Sequence, residues 1–297
     1  MNTNELNISK DAFDLNNLSA YEKWRDLKLE SYPTNTEQLI VEINNPLSLT
    51  EIERQKILDC YHKTNMVVYV SKEDENPDKK IASTLANEFG LHELDNNMGA
   101  DDDGITSLQI SKTEGRERYI PYSNKAIHWH TDGYYNELDK QIHALNLHCV
   151  RPAKTGGENA IMDHEIAYIR LRDESPEYIE ALMADDAMTI PANIKNGNII
   201  RSERKGPVFS IWGDGKLHMR YTARAHNVIW KENKQTQTAV KFLDNILKSN
   251  DSAIYRLTLQ SGWGLISNNV LHDRSEFDDD SESPRLLYRL RYYEGLI

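Results

Sequence analysis

The chain has 297 residues, and 35 Lys and Arg stand against 47 Asp and Glu, a formal net charge of −12. That length can bury one large core, while so acidic a chain without a basic run has no electrostatic footprint for phosphate backbones and is not expected to bind nucleic acid. Cys60 and Cys149 are the only cysteines and form no CxxC, and neither the polar start at Met1–Lys10 nor any later apolar run suits export or a bilayer, so a cytoplasmic protein without membrane contact is expected.

In chain order, residues 1–45 mix Asn, Ser, Asp and Tyr without periodicity. They predict an irregular N-terminal extension packed on the body through Trp24 and Tyr32, followed by a single domain over 46–297. Thr50 and Glu53 form a capping-box pattern that opens a helix running through His62, with Ile52, Leu58 and Tyr61 as its apolar face. Met66 to Val70 reads as a buried strand, and Ile81 to Phe89 as a helix stopped by Gly90. Beyond Ile105 short strand-like runs follow one another: Ile142 to Val150, Val208 to Trp212, Ala253 to Leu259, Gly264 to Ser267 and Leu286 to Tyr293. Two helices interrupt them, one opening at Ser175-Pro176 and one carrying Val240, Leu243 and Leu247. The expected class is mainly β with helical insertions (α+β), a barrel or jelly roll. The acidic runs Asp101 to Asp103 and Asp278 to Glu282 read as solvated loops.

His128-Trp129-His130-Thr131-Asp132-Gly133 places an imidazole and a carboxylate two residues apart. On an extended segment such residues share a face at about 7 Å, so both can converge on one ion. Gly133 permits the turn that tightens the approach. A third ligand has to come from a distant segment, and His272, after Asn268-Asn269-Val270-Leu271, is the candidate. Two histidines and one carboxylate leave three positions open on a metal, the facial arrangement of Fe(II) oxygenases. His143, His148, His164, His218 and His226 lack a carboxylate at comparable spacing and read as structural. In Pro284-Arg285-Leu286-Leu287-Tyr288-Arg289-Leu290-Arg291, alternation puts the three arginines on one face. Arg285 and Arg289 stand about 13 Å apart along a regular strand, so one small carboxylate cannot occupy both equally. A planar guanidinium suits a carboxylate through paired charge-assisted hydrogen bonds.

From about Asn65 to Tyr293 the chain resembles the taurine dioxygenase-like family of Fe(II)/2-oxoglutarate-dependent oxygenases. The resemblance rests on His130-Thr131-Asp132-Gly133, Thr155-Gly156-Gly157-Glu158-Asn159, Asn269-Val270-Leu271-His272-Asp273-Arg274 and Pro284 to Arg289, in that order. It implies a distorted double-stranded β-helix (jelly roll) core flanked by helices, Fe(II) on His130, Asp132 and His272, and 2-oxoglutarate held at its far carboxylate by Arg285. Asn159 stands where the family often has a threonine that helps bind 2-oxoglutarate, and an amide can donate the same bond with a different reach. Arg289 matches a position near the substrate in members that act on anions.

The resemblance further implies O2-dependent decarboxylation of 2-oxoglutarate to succinate and CO2, coupled to hydroxylation or related C–H oxidation of a small, polar or anionic substrate. A carboxylate at Asp132 leaves no vacancy for halide, which argues against halogenation. Tyr134, Tyr135 and Asn136, directly after the ligand pair, are candidate substrate contacts together with Arg289. A zinc hydrolase of cupin-like shape and a non-catalytic binding protein on the same fold are the competing readings, and a homo-oligomer is open on composition.

Overall fold

The strongest local signal in the chain is realised in full: Thr50 Oγ1 accepts from Glu53 N, and Glu53 reaches back to Thr50 N. A computed structural model describes residues 11–96, 101–111, 119–213, 215–224 and 228–296. Its helices are α1 (Leu18–Leu29), α2 (Glu51–Thr64), α3 (Lys80–Asn87), α4 (His164–Glu174), α5 (Pro176–Leu182) and α6 (Lys234–Lys248). The strands run β1 (Ile40–Glu42), β2 (Met66–Val70), β3 (Thr106–Leu108), β4 (Ile127–His130), β5 (Ala144–Arg151), β6 (Thr155–Gly156) and β7 (Asn159–Met162). They continue with β8 (Met188–Ile190), β9 (Asn193–Lys195), β10 (Asn198–Arg201), β11 (Arg204–Gly206), β12 (Phe209–Trp212), β13 (Lys216–Met219) and β14 (Ile229–Trp230). The last are β15 (Tyr255–Leu257), β16 (Trp263–Ser267), β17 (Leu271–Arg274), β18 (Phe277–Asp278) and β19 (Leu286–Tyr292).

Two sheets organise the body: a six-stranded one in the order β1-β2-β16-β5-β19-β3 and a four-stranded one in the order β15-β7-β17-β4. Alternation along the strands assigns their side chains to layers. Val68, Leu145, Leu147, Leu265 and Leu287 of the larger sheet meet Ile161, Tyr255 and Leu257 of the smaller in one apolar cluster between the sheets. The opposite face of the larger sheet, through Val67, Tyr69, Ile266, Tyr288 and Leu290, is covered by Ile57 and Leu58 of α2 and Leu85 of α3. The outer face of the smaller sheet, through Ala160, Met162 and Leu271, packs on α4, α5 and α6. The architecture is mixed α/β, with six helices and many short strands among the described residues. Among the described residues no helix is long and apolar enough to cross a membrane.

Three expectations need correction. Within residues 11–45 the N-terminal segment is not irregular: Asn17 caps α1 by accepting from Ala20 N, and β1 is the edge strand of the main sheet, pairing parallel with β2. Trp24 and Tyr32 dock on the body as expected, with Tyr21 and Leu29 beside them, and α1 is further held by buried Lys28, 2.7 Å from Asp163 and 2.5 Å from Glu165. Met1–Lys10 lie outside the described residues. On α2 the buried face is Ile57, Leu58 and Tyr61, whereas Ile52 is exposed, because five residues of helix turn it away from Ile57. Finally, α4 precedes the helix at Pro176 and went unforeseen. The acidic run Asp101 to Asp103 sits in a loop, where Asp101 and Asp103 both pair with Lys79, whereas the second run begins in β18 at Asp278 and continues as a loop.

Candidate metal centre and anion sites

Strand pairing builds the ligand cluster. β17 runs antiparallel to β4 with His272 opposite His130, which brings the two imidazoles to 4.2 Å between ring centroids. Asp132 follows two residues after β4 ends, and Gly133 then turns the chain with φ 68°. A side chain there is barred twice over, since a Cβ would sit 2.4 Å from Ile142 Cγ1. One ligand atom from each of His130, Asp132 and His272 lies within 4.8 Å of the others.

The protonation states fit a metal. Nδ1 of His130 lies 2.9 Å from His128 O, and Nδ1 of His272 lies 2.9 Å from Val270 O. A carbonyl only accepts, so both rings carry their proton on Nδ1 and offer the Nε2 lone pair inward. Burial and the neighbouring His272 push the His130 imidazole down to about 3, so it is a neutral ligand at ordinary pH. Burial alone would raise Asp132, but Arg289 and then Arg291 outweigh it and hold the carboxyl ionised, well below the usual carboxylate range. Arg289 Nη1 is 3.2 Å from Asp132 Oδ1, while Asp132 Oδ2 is buried without a hydrogen-bond partner. Two neutral imidazoles and a carboxylate with an unsatisfied buried oxygen make a donor set suited to Fe(II).

Two further residues hold the cluster. Asn269, buried and left-handed at φ 51°, accepts from Asp132 N at 2.7 Å and donates to Asp132 O at 2.9 Å and Ile142 O at 2.8 Å. It thereby ties the loop before His272 to the main chain of Asp132. Arg291 forms a buried ion pair with Asp95, donates to Tyr135 Oη at 2.9 Å and reaches within 3.9 Å of Asp132 Oδ1. From the far side, Thr131 N donates to Tyr221 O and Tyr221 N to Thr131 Oγ1, both at 3.0 Å.

Arg285 enters from the start of β19 and is buried in the same interlayer space. Its guanidinium lies 5.0 Å from the Phe277 ring centroid, and Arg274 covers the same ring at 4.8 Å. Among the described residues no carboxylate pairs with the Arg285 guanidinium, and burial lowers its pKa. It borders a small cavity together with Ala153, Gly157, Asn159, Thr258 and Leu287. A buried guanidinium lacking an anion, at the wall of a cavity, fits a carboxylate ligand. The Gly-Gly pair serves this wall: Gly156, at φ 73°, abuts β18 so closely that a Cβ would stand 2.4 Å from Glu276 O. Asn159 lines the same cavity and donates its amide to Asp273 O at 2.9 Å.

The expected substrate contacts separate. Tyr135 joins the arginines through Arg291, but Tyr134 is buried in the core and gives its carbonyl to Arg220 at 2.8 Å, and Asn136 Nδ2 donates to Lys140 O at 3.0 Å, closing its own loop. Arg289 and Arg291 share the inner face of β19, as alternation predicts, and both point at Asp132. The remaining histidines are held by structure: His148 bonds Tyr69 Oη at 2.9 Å, His164 bonds Leu217 O at 3.0 Å, His218 bonds Ile142 O at 3.2 Å, and His143 stacks on Trp212. His226 lies outside the described residues.

The chain matches the family model described as taurine catabolism dioxygenase TauD, TfdA family over residues 29–291. It is 30% identical over 195 residues to a uridine-5'-phosphate dioxygenase of Streptomyces sp, covering 64% of this chain and 69% of that protein. Its fold is similar to that of an asparagine oxygenase in complex with Fe(II), 2S,3S-3-hydroxyasparagine and succinate, with TM-score 0.54 and 13% identity over 98% of this chain and 92% of the other. It is also similar to the non-heme iron oxygenase OrfP in complex with Fe, with TM-score 0.57 and 15% identity over 82% and 79% of the two chains.

Proposed function

The chain belongs to the taurine catabolism dioxygenase TauD/TfdA family, and from that premise we propose that His130, Asp132 and His272 hold Fe(II) while Arg285 holds the distal carboxylate of 2-oxoglutarate. It is an oxidoreductase that works with iron and 2-oxoglutarate. The reaction we infer consumes O2, converts 2-oxoglutarate to succinate and CO2, and hydroxylates or otherwise oxidises a C–H bond of a small anionic substrate. The two facing sheets with helices outside them are read as a distorted double-stranded β-helix. One observation carries the site assignment: the three ligand atoms converge within 4.8 Å, and the one unpartnered buried carboxylate oxygen among them belongs to Asp132.

Fe(II), when bound, supplies the redox chemistry that couples decarboxylation to oxidation of the substrate. The protein's own contribution is positional. The carbonyls of His128 and Val270 fix both imidazole tautomers, and Arg289 keeps Asp132 ionised. Arg285, clamped over Phe277, orients the far end of 2-oxoglutarate, and Leu287 and Leu259 keep water from that end. The hydrolase reading gives no role to Arg285 and no account of the family match. The anionic character of the substrate is supported by the arginines beside Asp132 and by the relative named for uridine 5'-phosphate.

Anaerobic titration of the metal-free protein with Fe(II) and then 2-oxoglutarate tests this through the visible charge-transfer band. The wild type is expected to develop the band, His130→Ala to lose it, and Arg285→Ala to require about 100-fold more 2-oxoglutarate, the worth of a charge-assisted pair. A folded wild type without the band overturns the assignment.

A further inference from the structure

We propose that Arg201, backed by Arg220, receives a dianionic group of the substrate, in chemical class a phosphomonoester, on the flank of the metal centre beyond Tyr135. The proposal rests on the reading above and deepens it.

The chain as a whole is strongly acidic, at −12, yet this flank is cationic. Arg289 faces Asp132, Arg291 faces Asp95, and Arg204 faces Glu137 at 2.8 Å, so each of these has a carboxylate. Arg201 and Arg220 have none among the described residues. Arg201 donates to Pro191 O at 2.8 Å and Ser202 O at 3.1 Å. Arg220, 2% exposed, donates to the carbonyls of Tyr134, Met188 and Arg204 at 2.8, 3.1 and 2.8 Å. Carbonyls satisfy the N–H groups but do not cancel the charge. The strain is visible in both residues: burial first and then the nearby Arg204 lower the pKa of Arg201, and burial first and then Arg201 bring Arg220 down to about 10. Two adjacent cations without an anion fit a group carrying two negative charges. A carboxylate or sulfonate would leave one of them uncompensated.

Geometry places this pair at the site. Two guanidiniums approach the Tyr135 ring, Arg291 at 5.9 Å and Arg201 at 6.0 Å from its centroid. The cosubstrate end has the same device, where Arg274 and Arg285 approach Phe277. In each case an aromatic face holds a planar guanidinium in position, with donors left for an incoming oxyanion. Arg201 closes the hairpin formed by β9 and β10, and the pairing register shifts between Ile199 and Arg201. A bulge there turns the Arg201 side chain out of the ladder's alternation and towards Tyr135. Arg220 stands behind it, fixed to the carbonyl of Tyr134 in the segment that carries Asp132.

The test uses the Fe(II) and 2-oxoglutarate complex without O2, with perturbation of the charge-transfer band as readout. Uridine 5'-phosphate, its 5'-methyl ester (a monoanion of similar shape) and uridine are titrated into the wild type, Arg201→Gln and Arg201→Lys. The wild type is expected to bind the dianion at least about tenfold more tightly than the methyl ester, and uridine more weakly still. Arg201→Gln should lose about tenfold or more for the dianion and show almost no preference between dianion and monoanion, with Arg201→Lys between the two. A normal band with equal dianion affinity in wild type and Arg201→Gln overturns the proposal, as does a wild type that does not bind the dianion. A band lost in both variants assigns Arg201 to the fold and overturns it as well. A wild type with no band refutes the metal and cosubstrate reading, and the proposal falls with it.

Discussion

The two ligand-bearing strands and the long excursion from β7 to β15 border one site, but they are held in opposite ways. β17 lies inside the four-stranded sheet and β4 pairs with it at the sheet's edge, and the ligand cluster is held by that backbone pairing, by buried amide bonds and by ion pairs. The excursion contributes Arg201 from a hairpin outside both main sheets, and Ile194, Ile199 and Ile200 on that hairpin are 60%, 65% and 45% exposed. The contrast separates two tasks. Metal and cosubstrate chemistry is common to a family and tolerates no looseness, so it is built from register. Substrate recognition differs among relatives and is carried on a piece that can change without unsettling the sheets.

If that contrast is correct, changes near the ligands should unsettle the whole protein and changes on the hairpin should not. The largest expected effect is at Arg291. Arg291→Met leaves Asp95 buried without its cation, and breaking a buried pair from one side costs about 3–5 kcal/mol. Thermal unfolding should show a fall of roughly 10 °C. A shift under about 2 °C would mean that Asp95 is solvated and that the centre is less rigid than its contacts suggest. Next comes Asn269→Gly, which keeps the left-handed backbone but deletes three side-chain hydrogen bonds, two of them to Asp132. About 1–3 kcal/mol of stability should be lost, and calorimetric titration with Mn(II) should show affinity falling by about tenfold. Unchanged metal affinity would separate the register of Asp132 from its function as a ligand.

The same contrast explains what could be read in the sequence. The convergence of His130, Asp132 and His272 could be anticipated from the two-residue spacing of the first pair and the short loop before the third, and the shared face of Arg289 and Arg291 from alternation along β19, whereas Arg285 was singled out by the family resemblance. The strand limits at Met66–Val70 and Leu286–Tyr292 agree with the apolar runs almost residue for residue. Asp95 left no local trace and Asn269 showed only as part of the segment before His272, since each acts on a residue more than 130 positions away. α4 was missed because Ile166, Ala167, Tyr168, Ile169 and Leu171 are buried around much of its circumference, which erases the one-sided stripe of an amphipathic helix. α1 is further held by Lys28, whose partners Asp163 and Glu165 belong to the end of a strand and the start of a helix far along the chain. Arg201 reads as an ordinary surface arginine until the fold sets it over Tyr135.

The smallest effect should come from the hairpin itself. Ile194 and Ile199 are cross-strand partners, and both point into solvent. Replacing both by Thr keeps β-branching, and thus strand preference, while removing apolar surface that is not buried. Urea unfolding should change by no more than about 0.5 kcal/mol. The hairpin has its own source of order in the two-residue turn, where Asn196 and Gly197 both have positive φ, at 51° and 80°, as a type I′ turn requires. Gly197→Val should therefore disturb the hairpin more than the double Thr variant does, although nothing lies within 4 Å of the added Cβ, because the penalty is conformational. A loss above about 1.5 kcal/mol in the Thr variant would show the isoleucines packed against something and would remove the contrast between rigid centre and independent flank. A loss within the expected range leaves two exposed isoleucines with no part in folding stability, on the hairpin that carries a guanidinium without a carboxylate partner among the described residues.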